Sequence, residues 1–399
     1  MTPPPAASPI AAPSDVAIPR ARTLRLALDP LLTVAAVGLG VCSLVTLRAA
    51  TQHLIPSQPR YYVDRQAVYL LVGLGLMVAL SRIDYARLRQ LMYGVYAALL
   101  LSILAVLGIG HTAKGAQRAI NFPLFSFQAS EIGKVLLILA LSALIVARAR
   151  RLREPGTTAW VMLAALIPAL LVVIQPDLGS GMVYMVIAFT LLFVAGISWR
   201  HLAALLALVL MAGTFVLAAP AVGVHVLKTY QVERLTAFLH PSSNPQKQGY
   251  QQEESKVAIG AGQKTGRGES ATQTTLNFVP EDYTDFIFAA VGEQYGFVGA
   301  ALVLSLYALL IWRTLRILTM AKDMFGALVA GGVVAMLMFQ VFVNVGMAVG
   351  IMPITGVTLP LMSYGGSSVI TTLLAVGLLQ SIYVQAGASG AHRGRVLRY

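Results

Sequence analysis

Residues 276–300, LNFVPEDYTDFIFAAVGEQYGFVGA, carry the reading on which the fold turns. Three carboxylates, Glu281, Asp282 and Asp285, fall within five residues, and an apolar run over 286–312 follows directly. A bilayer core is spanned by about 20 consecutive, mostly apolar residues in helical form, so this run predicts a membrane-crossing helix. Within it Ala289, Gly292, Gly296 and Gly299 recur at spacings of three and four. That spacing predicts one small-residue face, including the GxxxG at 292–296, along which other helices approach closely. The expected picture is a helix packed deep in a bundle with Asp285 at its outer mouth.

The rest of the chain repeats the pattern. Of its 399 residues 57% are hydrophobic and only 11% charged, against about 25% charged in a soluble domain. The apolar runs are continuous, which predicts spanning helices rather than the alternating strands of an outer-membrane barrel. Ten spans are expected: 31–50, 67–81, 91–110, 130–147, 158–174, 178–197, 201–222, 286–312, 324–350 and 367–387. The fold class is therefore an all-α polytopic membrane protein. Cys42 is the lone cysteine, so no intrachain disulfide is possible.

Seventeen of the 29 basic residues sit in short connections and tails on one side, among them Arg82, Arg87, Arg89, the RARRLR of 148–153, Arg200, Arg313 and Arg316. By the positive-inside rule that side is cytoplasmic. Both termini are then cytoplasmic, and the long connection 223–285, between the seventh and eighth helices, is extracytoplasmic. The net charge of +13 is accounted for by cytoplasmic Arg and Lys beside anionic lipid, not by nucleic acid. Residues 1–30 are Pro/Ala-rich and predict a disordered cytoplasmic tail, 31–387 form the transmembrane domain, and 388–399 form a basic cytoplasmic tail. Inside the outer loop, AIGAGQKTGRGES (258–270) is Gly-rich and expected to be mobile, while its flanks are amphipathic.

Four outer connections carry polar clusters. In HTAKGAQRAINFPLFSFQASEIGKVLLI (111–138), Glu131 and Lys134 share one helix face. They are either a buried structural pair or an ion pair that lines a substrate site, since ionisable groups in spans are functional candidates. Lys114 and Arg118 beside them are cations suited to phosphate. In QPDLGSG (175–181), Asp177 is placed as a helix N-cap that can also face the same cavity. Tyr230, Gln231, Arg234, Gln248, Gln251 and Lys256 suit sugar hydroxyls and pyrophosphate. In NVGMAVGIMPITGVTLPLMSYGGSS (344–368), Pro353, Gly356 and Pro360 forbid a plain helix, so irregular backbone lies at membrane depth, where it must be buried in protein or line a wet cavity. Ser367 and Ser368 then open the last helix, whose N–H groups are suited to an anion. No zinc spacing, P-loop or nucleophile elbow is present.

Together these stretches resemble the SEDS family (shape, elongation, division and sporulation), bacterial membrane proteins that polymerise peptidoglycan strands. The resemblance rests on GAQRAI…FQASEIGK, QPDLGSG, GISWR, YQVERLTAFLHP, GYQQEESKVAIGAG, FVPEDYTDFIFAAVGEQYGFVGA and NVGMAVGIMPITGVTLPLMSYGGSS, in order over about residues 30–388. QPDLG, GISWR and ESKVAIG are more similar to the RodA-like than the FtsW-like branch. The resemblance implies ten helices with both ends cytoplasmic, in the bacterial cytoplasmic membrane. It also implies an essential carboxylate at Asp285, with Glu131 and Lys134 matching the family's SExxK and Asp177 its QPDLG. A class B penicillin-binding protein (a transpeptidase) and elongation-complex membrane proteins are the implied partners. The sequence departs from the family at Ala119, where Trp is usual, at Ala129, where Pro is, at Tyr283, where His is, and in QQEESK.

The implied reaction joins lipid II to a lipid-linked glycan. A sugar hydroxyl attacks the anomeric carbon of the donor and undecaprenyl pyrophosphate leaves, which calls for a base and for positive charge near the pyrophosphate. Asp285 is the expected base and Glu281 a supporting carboxylate. Lys114, Arg118, Arg234 and Lys256 are the expected pyrophosphate cations, with a divalent cation, magnesium or manganese, as the one candidate cofactor. Two alternatives remain open at this point: a lipid II flippase, and a non-catalytic activator of a transpeptidase.

Overall fold

The computed structural model of the chain describes residues 28–113, 116–121, 125–152, 154–218, 248–268, 271–275 and 283–396. The helices are α1 Pro30–Thr51, α2 Tyr61–Ser81, α3 Ala86–Gln90, α4 Met92–Ile109, α5 Ala129–Ala147, α6 Pro155–Ile174, α7 Leu178–Val194, α8 Trp199–Ala218, α9 Gln248–Ala261, α10 Thr272–Thr275, α11 Ile287–Met320, α12 Met324–Val349 and α13 Gly366–Val396. Between α4 and α5 lies a small antiparallel sheet of β1 His111–Ala113, β2 Ala116–Asn121 and β3 Ser126–Phe127, in that order, with Ile120 opposite Phe127. Among the described residues eight helices are long and apolar enough to cross a membrane, and Leu178–Val194 and Trp199–Val209 are apolar but shorter. These two stand where the sixth and seventh of the ten expected spans were placed. The tail 1–27 and, in and before the outer loop, residues 219–247, 269–270 and 276–282 lie outside the described residues.

α5, α12 and α13 form the buried centre, while α2, α4 and α11 present much of their surface outward. The outward residues include Leu71, Leu101, Val298 and Leu302, the apolar exterior that lipid tails require. Start and stop signals are local. Asp29 caps α1 through Leu32 N–H, with Pro30 at the first helical position, and Asp323 caps α12 through Gly326 N–H at 2.7 Å.

At the helix ends assigned to the cytoplasm, one buried charge ties three helices together. Asp29, fully buried, pairs with Arg313 of α11 through Nε and Nη2, and its backbone exchanges hydrogen bonds with Gln380 of α13. Arg313 therefore has a structural use besides its part in the positive-inside pattern.

The small-residue face on α11 is corrected by the structure. Gly296 has φ +62°, so the helix is broken there rather than continuous. The Gly-rich turn 262–268, expected to be mobile, is docked into the break. Arg267 N–H donates to Glu293 O at 2.8 Å, and Phe297 and Val298 N–H donate to Gln263 O and Lys264 O at 2.9 and 3.1 Å. The turn thus replaces the hydrogen bonds that the helix gives up, which backbone at this depth requires. Gly262 has to be glycine, because a Cβ there would stand 1.8 Å from Gly292 O. Gly292 itself faces Ile259 of α9, so Gly292 admits the outer loop. Gly296→Ala should cost about 1–3 kcal/mol from the backbone alone, because φ +62° with ψ −158° is a conformation that essentially only glycine adopts. The new Cβ, 2.4 Å from Gly266 N, adds to that, and a fall in the unfolding temperature of purified protein is the check.

Candidate active site

Asp285 sits just before the buried first part of α11 and is itself half-buried. Three consecutive carbonyls hold its segment. Tyr283 O accepts from Tyr364 N–H at 2.9 Å, Thr284 O from the Ser363 hydroxyl at 2.6 Å, and Asp285 O from the Asn344 amide at 2.8 Å. Asn344 gives a second hydrogen bond, also 2.8 Å, to Val357 O. The donors all come from the end of α12 and from the irregular segment 350–365 that follows it. On the other side Phe286 and Ile287 are buried and anchor the start of α11.

The irregular segment is fixed in turn by the spanning helices. Ser43 of α1 donates to Met362 O at 2.7 Å, Gln66 of α2 to Ser363 O at 3.1 Å, and Tyr307 of α11 to Pro360 O at 2.5 Å. Backbone that cannot be helical, because of its prolines, is thus satisfied by side chains at membrane depth. The expected irregular backbone is present and carries Asp285.

The outer end of α2 brings an aromatic cluster and a cation to the same place. The Tyr62 ring lies 5.0 Å from Tyr283 and 5.1 Å from Tyr364, and the Arg65 guanidinium lies 4.5 Å over the Tyr61 ring. Tyr283, the departure from the family's histidine, is accordingly a packing residue between α2 and the irregular segment.

Glu131 and Lys134 make a closed pair at 2.7 Å, and both are buried. Asp177 is an N-cap, accepting from Ser180 N–H at 3.1 Å, and its second oxygen accepts from the Ser130 hydroxyl at 2.7 Å. Ser367 joins this network: its hydroxyl donates to Ser126 O at 2.7 Å and accepts from Gln128 N–H at 2.9 Å. Ser368 meets the Thr358 hydroxyl at 3.0 Å. The irregular segment therefore links the start of α5, Asp177 and α13 to the Asp285 backbone.

The expected pyrophosphate cations fare differently. Lys114, Arg234 and the carboxylates Glu281 and Asp282 lie outside the described residues, as does the side chain of Arg118, whose backbone is in β2. Lys256, on α9, pairs with Glu253 at 2.8 Å and packs over Gly350 at the end of α12. Among the described residues no group of three His, Cys, Asp or Glu comes together. These residues do not by themselves form a metal site.

Sequence reasoning missed Asn344, Arg65, Gln66 and Ser43. Asn344 and Ser363 lay inside a quoted motif, and an amide in an otherwise apolar helix was the available signal. Asn344→Leu should leave two buried carbonyls without partners, at about 1–3 kcal/mol each. It should lower kcat by about 10–100-fold through misplacement of Asp285, with KM little changed. Steady-state kinetics on folded protein would check this.

A helical bundle that holds one acidic segment rigidly at the end assigned to the outside defines a multi-pass membrane protein acting on material presented at the membrane surface. Comparison with known proteins makes the class specific: the chain belongs to the FtsW/RodA/SpoVE family of cell cycle proteins, whose model matches residues 27–387. The peptidoglycan glycosyltransferase MrdB of Escherichia coli K12 is 35% identical over 359 residues, covering 89% of this chain and 93% of that one. "Probable peptidoglycan glycosyltransferase FtsW" of Geobacter metallireducens is 35% identical over 327 residues, covering 81% and 84%. Among solved structures, a chain from a peptidoglycan synthase complex that coordinates polymerization and crosslinking aligns with TM-score 0.73 at 33% identity, over 91% of this chain and 99% of that one. RodA of Thermus thermophilus aligns with TM-score 0.63 at 30% identity, over 90% and 97%. The chain is a peptidoglycan glycosyltransferase of the cytoplasmic membrane, and the flippase and activator alternatives are set aside.

Proposed function

We propose that the chain polymerises lipid II at the outer face of the membrane with Asp285 as general base. One observation carries this reading: the carbonyls of residues 283, 284 and 285 are each held by a protein donor. A backbone so fixed holds residue 285 in place, so that its carboxylate serves as the base from a support that does not yield. In the step itself, Asp285 takes the proton from the acceptor sugar hydroxyl as that oxygen bonds to the donor's anomeric carbon. The bond from that carbon to the diphosphate breaks, and the lipid diphosphate leaves with the electron pair. Arg65, at the aromatic cluster on α2, adds positive charge near the reacting groups. Glu131, Lys134, Asp177, Ser367 and Ser368 support the site as a scaffold.

The motif wording favours service in cell elongation, and the partner would be a transpeptidase that crosslinks the product. A structural neighbour taken from a synthase complex supports the partnership. Rod-shape rescue in cells depleted of their own elongation polymerase, without rescue of division, is expected; the reverse result would assign the chain to division. Purified protein should polymerise lipid II in detergent, where no sealed compartment exists.

A further inference from the structure

α11 is in effect two helices. Its first part is buried at every position from Ile287 to Gln294, whereas Phe297 and Val298, just past the break, are exposed. Gly296, with φ +62° and ψ −158°, uncouples the two parts. The spanning part therefore does not by itself set the direction of the part that follows Asp285.

The angle at the break is set by the outer loop. The turn 262–268 bonds to both sides of it: Arg267 N–H donates to Glu293 O on one side, and Phe297 and Val298 N–H donate to Gln263 O and Lys264 O on the other. The Glu293 side chain adds a second tie to the loop. Its two oxygens accept from the N–H groups of Gln273 and Thr274, one each, at 2.8 Å. Glu293 is fully buried, and among the described residues no cation pairs with it. A buried charge held by neutral donors is costly. A four-residue helix such as α10 is capped as well by a neutral serine or asparagine, so the carboxylate points to a use beyond the cap.

That use is leverage. Gly296 lies 11 residues after Asp285, on the order of 16 Å along a helix. A swing of about 4° at the break would move Asp285 by about 1 Å, and a misplacement of that size costs about 10²-fold in rate.

We propose that Glu293 is a positioning residue for glycosyl transfer: with the turn 262–268 it fixes the angle at Gly296 and so the place of the Asp285 carboxylate. The proposal rests on the reading of Asp285 as base. It adds that the clamp on the carbonyls of 283–285 secures one end of the lever and Glu293 the other.

Steady-state polymerisation of lipid II by the full chain tests it, with rates counted per folded molecule at a temperature where every variant is folded. Glu293→Gln keeps the shape but turns an amide NH2 toward one of the two backbone N–H donors. Its kcat should fall about 10–100-fold, with KM within about twofold of wild type. Gln273→Pro removes one of the same bonds from the first turn of α10, where proline is tolerated, and should lower kcat about 3–10-fold. It carries the test if Glu293→Gln does not fold. A purely structural role would lower the unfolding temperature alone, as expected of Ser381→Ala, which loses its hydrogen bond to Ile83 O at the other end of the bundle. Combining Glu293→Gln with Asn344→Leu, which loosens the clamp, should cost less than the product of the single losses, because both act on the position of one carboxylate. A kcat within about twofold of wild type in the folded variants overturns the proposal, as does a double variant whose loss equals that product. Asp285→Ala, run alongside, keeps the two readings apart. Activity there sinks Asp285 as base, whereas its inactivity beside an unaffected Glu293→Gln sinks the lever alone.

Discussion

Asp285→Ala abolishes glycan synthesis from lipid II while leaving the protein folded; the expected loss is about 10²–10⁴-fold, the contribution of a positioned general base. The fold should survive because residue 285 is held through its backbone. Asn344 reaches the carbonyl and not the side chain, and the flanking bonds at Tyr283 and Thr284 are to carbonyls as well. An alanine keeps all three. Gel analysis of products from equal amounts of monodisperse wild-type and variant protein is the measurement. Near wild-type glycan output from Asp285→Ala would remove it as the base. A variant that aggregates would show instead that its carboxylate is structural. Asp285→Asn separates charge from shape: it keeps volume and polarity, accepts no proton, and should be as inactive as the alanine variant.

Lys134→Met should be the most damaging change for stability. Glu131 and Lys134 are both buried and 2.7 Å apart, so loss of the ammonium strands a carboxylate away from water. Breaking such a pair from one side costs about 3–5 kcal/mol, whereas removing both charges together is often close to neutral. The double variant Glu131→Gln with Lys134→Met should therefore recover much of the folded yield lost by Lys134→Met. Size-exclusion profiles and unfolding temperatures would read this out. If Lys134→Met folded normally and lost only activity, the pair would belong to the substrate site and the scaffold role given to it here would be wrong.

Glu131 is the partner that lets a lysine be buried there, and a hydrogen-bond network surrounds the pair. The pair sits in the first two turns of α5, beside Ser130, whose hydroxyl binds Asp177 and whose carbonyl accepts from Tyr184 at 3.1 Å. Asp177, Ser367 and the α5 start are thereby fixed against one another. Through Thr358 and Ser368 the same network meets the segment that carries Asp285. Glu293 plays a comparable part on the outer side: fully buried, it accepts from the N–H groups of Gln273 and Thr274 at 2.8 Å each and so caps α10.

The bundle was legible in the sequence because a bilayer imposes its own length scale. Apolar runs such as 31–50 and 324–350 have no alternative to a helix when water is absent, and clusters such as RARRLR mark their ends. The boundaries agree within a residue or two for α1, α4, α5 and α12. α2 begins six residues earlier than expected because Tyr61, Tyr62 and Arg65 are polar enough to read as loop, yet they are helical, and Tyr62 packs on Tyr283 and Tyr364. Asp285 itself was reached through its motif.

Only the tertiary structure decided what supports Asp285 and where α11 breaks. The spacing of Gly292 and Gly296 is equally a helix-packing face and a helix break, and local sequence cannot separate the two. The choice falls to the turn 262–268, about 30 residues earlier in the chain, which supplies the partners that Glu293, Phe297 and Val298 need once the helix opens. In the same way Asn344 is an ordinary amide in an apolar helix until the chain returns Asp285 and Val357 to either side of it. Periodicity and hydropathy are properties of neighbours in sequence, so they fixed the spans. Hydrogen bonds between distant segments form only when the spans have packed, so they alone placed the acid.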